Sequence, residues 1–280
     1  MATALNELVR EGKRAIKSIL PQPVLNWREV QYYEKYGEIE LHILEFLCDP
    51  ARDAIDVGAN DGCYVHFLKK YSRRVYAFEP LPILAEALRR KFPHDVVVKQ
   101  VALSRAPGSA ELRMPVIDGM LVTGCSTISQ RAADFYPAHQ AISVPMDALD
   151  NIYSGDVGIM KIDVEGHEEA VLDGARKTIA RCSPTVIVEV LEHLSPGGNQ
   201  RVTEYFRSLG YSGYFIWRRE LLPLEAFDGA TMQRGEDSPA VAASLESRDR
   251  FGSYVYNFIF LPRSEPKATL DRIRARLLEL

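Results

Sequence analysis

The sequence holds no CxxC pair, no internal repeat, no low-complexity tract and no apolar run approaching the ~18 residues of a bilayer-spanning helix. Each absence removes a class of protein. The four cysteines, Cys48, Cys63, Cys125 and Cys182, are scattered without a pairing pattern, which argues against a disulfide framework or a zinc site and for reduced thiols inside a cell. The first twenty residues carry charge through their middle and no apolar core, so no signal peptide is expected there. Charge of one sign is also lacking: 34 Lys and Arg against 38 Asp and Glu leave a formal charge of −4, which argues against a dedicated nucleic-acid binder. A soluble, cytoplasmic protein is the expectation.

What is present is ordinary globular material. A 46% hydrophobic share over 280 residues can fill a sizeable core, in one large domain with trimmings or in two small ones. Residues 2–20 read as a basic amphipathic helix stopped by Pro21 and Pro23, and residues 38–48 as a second helix, with Ile39, Ile43, Leu44 and Leu47 at helical spacing. From residue 53 the chain alternates. Strands are expected over 54–59, 74–80, 96–103, 158–164 and 185–191, and helices over 63–71, 83–92, 167–181 and 200–209. Val- and Ile-rich strands between amphipathic helices indicate an α/β fold, a mostly parallel sheet with helices on both faces. Residues 104–158 read as largely irregular. The strands at 213–219 and 253–263 have no helix pattern between them and are expected to pair antiparallel at one sheet edge. Residues 228–250 read as a mobile loop, and 267–280 as a closing amphipathic helix.

In an open α/β sheet, ligands sit beyond the carboxyl ends of the strands. The first strand ends in Asp56-Val-Gly58-Ala-Asn60-Asp-Gly62, whose glycines allow a tight turn and close backbone approach. The second ends in Glu79, an acid placed to accept hydrogen bonds from both hydroxyls of a ribose. Together they indicate an adenosine-type cofactor. A nicotinamide site needs GxGxxG around a pyrophosphate; here Asn60 replaces the second glycine, and the leading Asp56 suits an ammonium and repels phosphate. S-adenosylmethionine, with an amino acid and no phosphate, fits better. A nicotinamide-dependent oxidoreductase and a non-catalytic cofactor-binding partner protein are the competing readings.

DVGANDG (56–62), VYAFEP (75–80), VALS (101–104), GCSTIS (124–129), MDALD (146–150), KIDVEGHE (161–168) and VIVEV (186–190) run in order along the chain. In these motifs the sequence resembles the FkbM family of S-adenosylmethionine-dependent methyltransferases. The resemblance implies a seven-stranded Rossmann-like methyltransferase fold and O-methylation of a hydroxyl on a sugar, glycan or natural-product scaffold. It divides the chain into an N-terminal helical extension (1–50), a cofactor-binding catalytic domain (51–263) and a C-terminal helix (264–280). Asp61 departs from the family pattern, which commonly has an apolar residue there, and is expected to alter the methionine end of the cofactor pocket.

Methyl transfer aligns a donor carbon with an acceptor hydroxyl and helps that hydroxyl lose its proton. His167, on a helix stripe with Val171, Ala175 and Ile179, is the first choice as general base. Asp163 and Glu189, at the ends of adjacent strands, would face the acceptor, and Asp163 also suits the cofactor's methionine part. Glu165 reads as a support for the histidine or for helix amides, while Glu168 and Glu169 read as solvent-facing and Lys161 as a surface charge. Cofactor contacts are expected from Asp56, Gly58, Asn60, Gly62, Glu79 and Asp163; by analogy with the fold and family, Ala102, Leu103 and Glu40 join them. Asp163 and Glu189, with Glu192 or His193, also offer ligands that suit magnesium, though a metal-free mechanism ranks first. The aromatic tail of Tyr211, Tyr214, Phe215 and Trp217 is expected to pack in the core more than to hold a sugar. The terminal helices are candidate homodimer surfaces.

Overall fold

The computed structural model describes residues 20–117, 119–233, 254–263 and 267–280. Nearly all of the helix expected over 2–20 lies outside the described residues, as does 234–250 of the expected loop.

The main sheet grows from β1 (Asp53–Val57), which is buried along its whole length. Parallel neighbours on one side are β2 (Val75–Phe78) and then β3 (Val96–Lys99). On the other side lie β8 (Val157–Ile162) and β9 (Thr185–Glu189), also parallel. The chain therefore runs outward from β1 in one direction and later returns to β1's other flank. That reversal opens a crevice at the carboxyl ends of β1 and β8. Beyond β9 come β12 (Asn257–Pro262), β10 (Tyr211–Trp217) and β11 (Glu220–Pro223), each antiparallel to its neighbour.

The central strands read as continuous apolar runs because both faces are covered. Ala54, Ile159, Ile187 and Ile259 pack on one face with α3 (Cys63–Tyr71) and α11 (Lys267–Glu279). Ile55, Met160, Ile162 and Val188 pack on the other with α7 (Glu168–Gly174), α8 (Arg176–Cys182) and α9 (Gly198–Ser208).

Several expectations need correction. The described sheet has eight strands, not seven, because the chain doubles back after β10 into β11. Arg218 and Arg219 make that two-residue turn with φ of +50° and +68°, the conformation a tight hairpin requires, with none of the usual Gly or Asn to signal it. Pro21 and Pro23 also start a helix, α1 (Gln22–Tyr36), since the first turn lacks N–H partners in any case. The helix expected over 38–48 is a 3₁₀ turn, Ile39–His42, followed by the short α2 (Leu44–Leu47). The helix expected over 167–181 breaks at Ala175 into α7 and α8. Of the expected loop, residues 229–232 form the short helix α10 (Gly229–Met232).

The largest departure is residues 104–158, which are not irregular. The expected strand over 96–103 leaves the main sheet after Lys99, and its last part, β4 (Ala102–Leu103), pairs with β7 (His139–Asp147). β7 runs antiparallel to β5 (Gly108–Ile117), and β6 (Met120–Leu121) completes a second sheet of order β4-β7-β5-β6. Its small core of Leu112, Met114 and Val144 sits on Leu81 and Ala102. With only one face covered and Pro115 and Pro145 inside its strands, this sheet lacks the Val/Ile runs that betray a central strand.

Candidate active site

The glycine turn is built by close approach. Gly58 has φ of +80°, and a Cβ there would stand 1.9 Å from the Asp163 carbonyl oxygen, so the β1 and β8 loops touch backbone to backbone. Asn60 is left-handed at φ +47°, a conformation asparagine tolerates. Its amide donates to Glu79 Oε2 at 2.8 Å, and the Leu81 amide donates to Glu79 Oε1 at 2.8 Å. Glu79 thus ties the turn to the end of β2. Burial, with a contribution from Asp163, pushes its carboxyl up to about 7 against the pull of those two amides.

These loops form one side of a narrow cleft of about 610 Å³, counting its open mouth. Phe78, Val101, Ala102 and Leu103 make an apolar wall, and Thr123, Gly124, Ser126 and Ile128 of the 104–158 insertion cover it. Gly58, Asn60, Glu79, Asp163, Glu165 and His167 also line it, and among the described residues no Lys or Arg does. An apolar slot beside the Glu79 carboxylate, with Asp163 and Glu165 at hand, suits an adenosine bearing a cationic tail. A pyrophosphate would face the Glu79, Asp163 and Glu165 carboxylates there.

Three expected cofactor residues do not line this cleft. Gly62 starts α3 at φ +89° and is packed by Leu88 and Phe92. Asp56 is 2% exposed beneath the turn, register-paired with Lys161, and its Oδ2 has no hydrogen-bond partner among the described residues; burial holds its carboxyl at about 7. Glu40 is buried in the 3₁₀ turn, and burial, then Glu38, push it to about 8. Glu38, missed in the sequence, accepts from the Tyr64 hydroxyl at 2.6 Å and from Asn257 Nδ2 at 2.8 Å. Its position two residues before Glu40 was the available signal. Asp61 turns towards α1, where it accepts from the Tyr33 hydroxyl at 2.5 Å.

Past the ends of β8 and β9 the structure brings Asp163, Glu165 and Glu189 together, with one oxygen of each within 4.8 Å of the others. Glu165, at φ +48°, and Gly166, at φ +87°, form the bend that turns this loop back. Burial and the Asp163 charge hold Glu165 and Glu189 well above the usual carboxylate range. Lys161 is not a surface charge. It is 1% exposed, with Nζ 3.5 Å from Asp163 Oδ2 and 3.8 Å from Glu189 Oε2. Glu192 and His193 do not join the three acids: Glu192 accepts from the Gly197 and Asn199 amides at the start of α9, and the His193 ring stands 4.8 Å from that of Phe135.

His167 precedes α7 as its capping residue. Its Nε2 lies 3.0 Å from Ser104 Oγ, so serine and not Glu165 orients the ring. Burial, then Arg105, lower its pKa to about 4, which leaves the imidazole neutral at physiological pH. Glu168 is buried, contrary to expectation, because its carboxylate accepts from the Gly166 amide at 2.7 Å; burial holds it at about 7. Glu169 is half-exposed and paired with Arg201 at 2.8 Å. Glu165 instead offers its carbonyl to Thr127 Oγ1 at 2.6 Å, and Thr127 Oγ1 in turn accepts from the Ser129 amide. Thr127 therefore clamps the cleft cover onto the acidic loop. Tyr211, Tyr214, Phe215 and Trp217 lie on β10, away from the cleft.

Solved structures align with this chain at low identity. Methyltransferase FkbM from Methylobacillus flagellatus KT aligns at 16% identity and TM-score 0.46, covering 76% of this chain but only 44% of that one. SMU.1697c from Streptococcus mutans, in complex with SAH, aligns at 9% identity and TM-score 0.42 over 79% of this chain and 94% of that one. An rRNA methylase from Streptococcus thermophilus aligns at 8% identity and TM-score 0.39 over 80% and 94%. No curated protein matches the sequence. The methyltransferase FkbM domain matches residues 56–212, more than half of the chain, from the glycine turn through the cleft cover and the acidic loop to the start of β10; the protein belongs to the FkbM methyltransferase family.

Proposed function

We propose that the protein is an S-adenosylmethionine-dependent O-methyltransferase acting on a hydroxyl of a sugar, glycan or natural-product scaffold. The observation that carries the cofactor is the cleft itself: Glu79 and an apolar wall at Phe78, Ala102 and Leu103, then carboxylates, and no Lys or Arg among the described residues. S-adenosylmethionine, when bound, supplies a methyl group on a positively charged sulfur. Phe78, Val101 and Leu103 suit its purine. Glu79 has lone pairs left for ribose hydroxyls after accepting its two amides. Asp163 offers a carboxylate to the cationic tail, and Glu165 a further oxygen acceptor.

The acceptor hydroxyl loses its proton to the Asp163–Glu189 pair. Glu189, held high by burial and by Asp163, is a stronger base once ionised than an ordinary carboxylate. His167, neutral and bonded to Ser104 within the cleft, orients rather than titrates. This reverses its expected priority as base. A polyhydroxylated acceptor suits a carboxylate-lined edge because each hydroxyl can donate to an acid. The test is transfer of a labelled methyl group from S-adenosylmethionine to a panel of glycosides, phenols and amines. Label on glycoside hydroxyls that Glu189→Gln abolishes supports the reading; label on amines alone overturns it.

A further inference from the structure

The cluster of Asp163, Glu165 and Glu189 has the donor set of a divalent-cation site, yet a cation already stands in it. Lys161 projects from the middle of β8, where its backbone is paired with Asp56 on one side and Ile187 on the other. Its Nζ reaches two of the three acids, at 3.5 Å and 3.8 Å, and the Tyr64 ring lies 5.0 Å away. At 1% exposure, the ammonium has no path to solvent without a shift of its surroundings. Among the described residues Nζ has no hydrogen-bond partner, so the surrounding carboxylates and the Tyr64 ring hold it there. Burial opposes that charge, but Asp163, Glu189, Glu38 and Asp56 outweigh burial and keep the lysine above its ordinary range. Glu40 and Glu165 also act on this ammonium.

We propose that Lys161 is the resident counter-cation of the acid cluster and takes the place of a divalent metal ion. It is a positioning residue: it holds Asp163 and Glu189 side by side where two bare carboxylates would repel. A metal ion bridging the same oxygens would stand a few ångströms from a buried ammonium, and at such a separation like charges in a poorly solvated site repel strongly. Removing the lysine charge should therefore turn the cluster into a metal site.

The test is titration of the full chain with Mn²⁺, followed by electron paramagnetic resonance. Wild type and Lys161→Arg should bind no Mn²⁺ that depends on Glu189. Lys161→Met should bind about one ion per chain, at least tenfold more tightly than wild type, and Lys161→Met with Glu189→Gln should lose it. Wild-type binding that Glu189→Gln removes would overturn the proposal, as would a folded Lys161→Met chain that takes up no metal. Should Lys161→Met not fold, wild type against Glu189→Gln decides alone: binding removed by Glu189→Gln overturns the proposal, and its absence supports it. The role in methyl transfer rests on the function proposed above. Metal binding needs neither cofactor nor acceptor, so failure of that function and failure of this inference are separately visible.

Discussion

Glu79 performs two tasks with one carboxylate: it holds the amides of Asn60 and Leu81 and presents its oxygens to the cleft. Glu79→Gln keeps the shape but turns one acceptor oxygen into a donor. It should weaken S-adenosylhomocysteine binding by about tenfold, roughly 1.4 kcal/mol, in a calorimetric titration. Because burial holds Glu79 at about 7, wild-type affinity should fall as pH drops below that value and the carboxylate gains a proton, and Glu79→Gln should lack that limb. His167 predicts differently. With its pKa near 4, it stays neutral from pH 6 to 8, so His167→Asn should leave the shape of the pH–rate profile unchanged in that window. A limb near pH 6.5 that disappears in His167→Asn would restore the histidine as base.

At the scale of elements, close approaches hold the site together. A Cβ on Gly174 would stand 2.0 Å from the Ser104 carbonyl oxygen, so α7 presses on the segment that carries the partner of His167. Gly174→Ala should cost about 2 kcal/mol or more in chemical denaturation and should weaken S-adenosylhomocysteine binding along with stability. The parallel half of the sheet was legible in the sequence because fully buried strands such as VGIMKI carry their burial in plain Val and Ile. The second sheet was not. β5 buries Leu112 and Met114 among Gly, Ser, Glu and Arg, too weak an alternation to outweigh two prolines. The turn and Glu79 could be read from local chemistry, since a positive φ and a strand-end acid leave marks in sequence. Lys161 and Glu168 could not, because only long-range packing determines whether a charge is buried. Thr127 lay within GCSTIS, but its bond to the Glu165 carbonyl joins segments 38 residues apart.

Across the whole molecule, the excess of buried carboxylates sets a pH dependence of stability. Asp56, Glu79 and Glu168, at about 7, and Glu40, at about 8, all sit above their unfolded values, chiefly through burial. Groups raised in this way stabilise the fold fully below the unfolded carboxylate pKa and lose that contribution as pH rises through the folded values. His167 acts in the opposite direction between its folded value near 4 and the unfolded histidine value of about 6.5, where the unfolded chain binds the extra proton. The four raised carboxylates outweigh the one lowered histidine, so thermal stability should be greatest near the unfolded carboxylate value of about 4 and decline from there towards pH 8, as measured by calorimetric melting in low-salt buffers. A melting temperature that rises from pH 6 to pH 8 would contradict this charge balance.

The central claim is that the cleft holds an adenosine with a cationic amino-acid tail and no phosphate. Isothermal titration of the full chain with S-adenosylmethionine, S-adenosylhomocysteine and NAD tests it most directly. Single-site, micromolar or tighter binding of the first two is expected, weakened by Glu79→Gln, with no measurable binding of NAD. Binding of NAD with no response to either methionine derivative would contradict it.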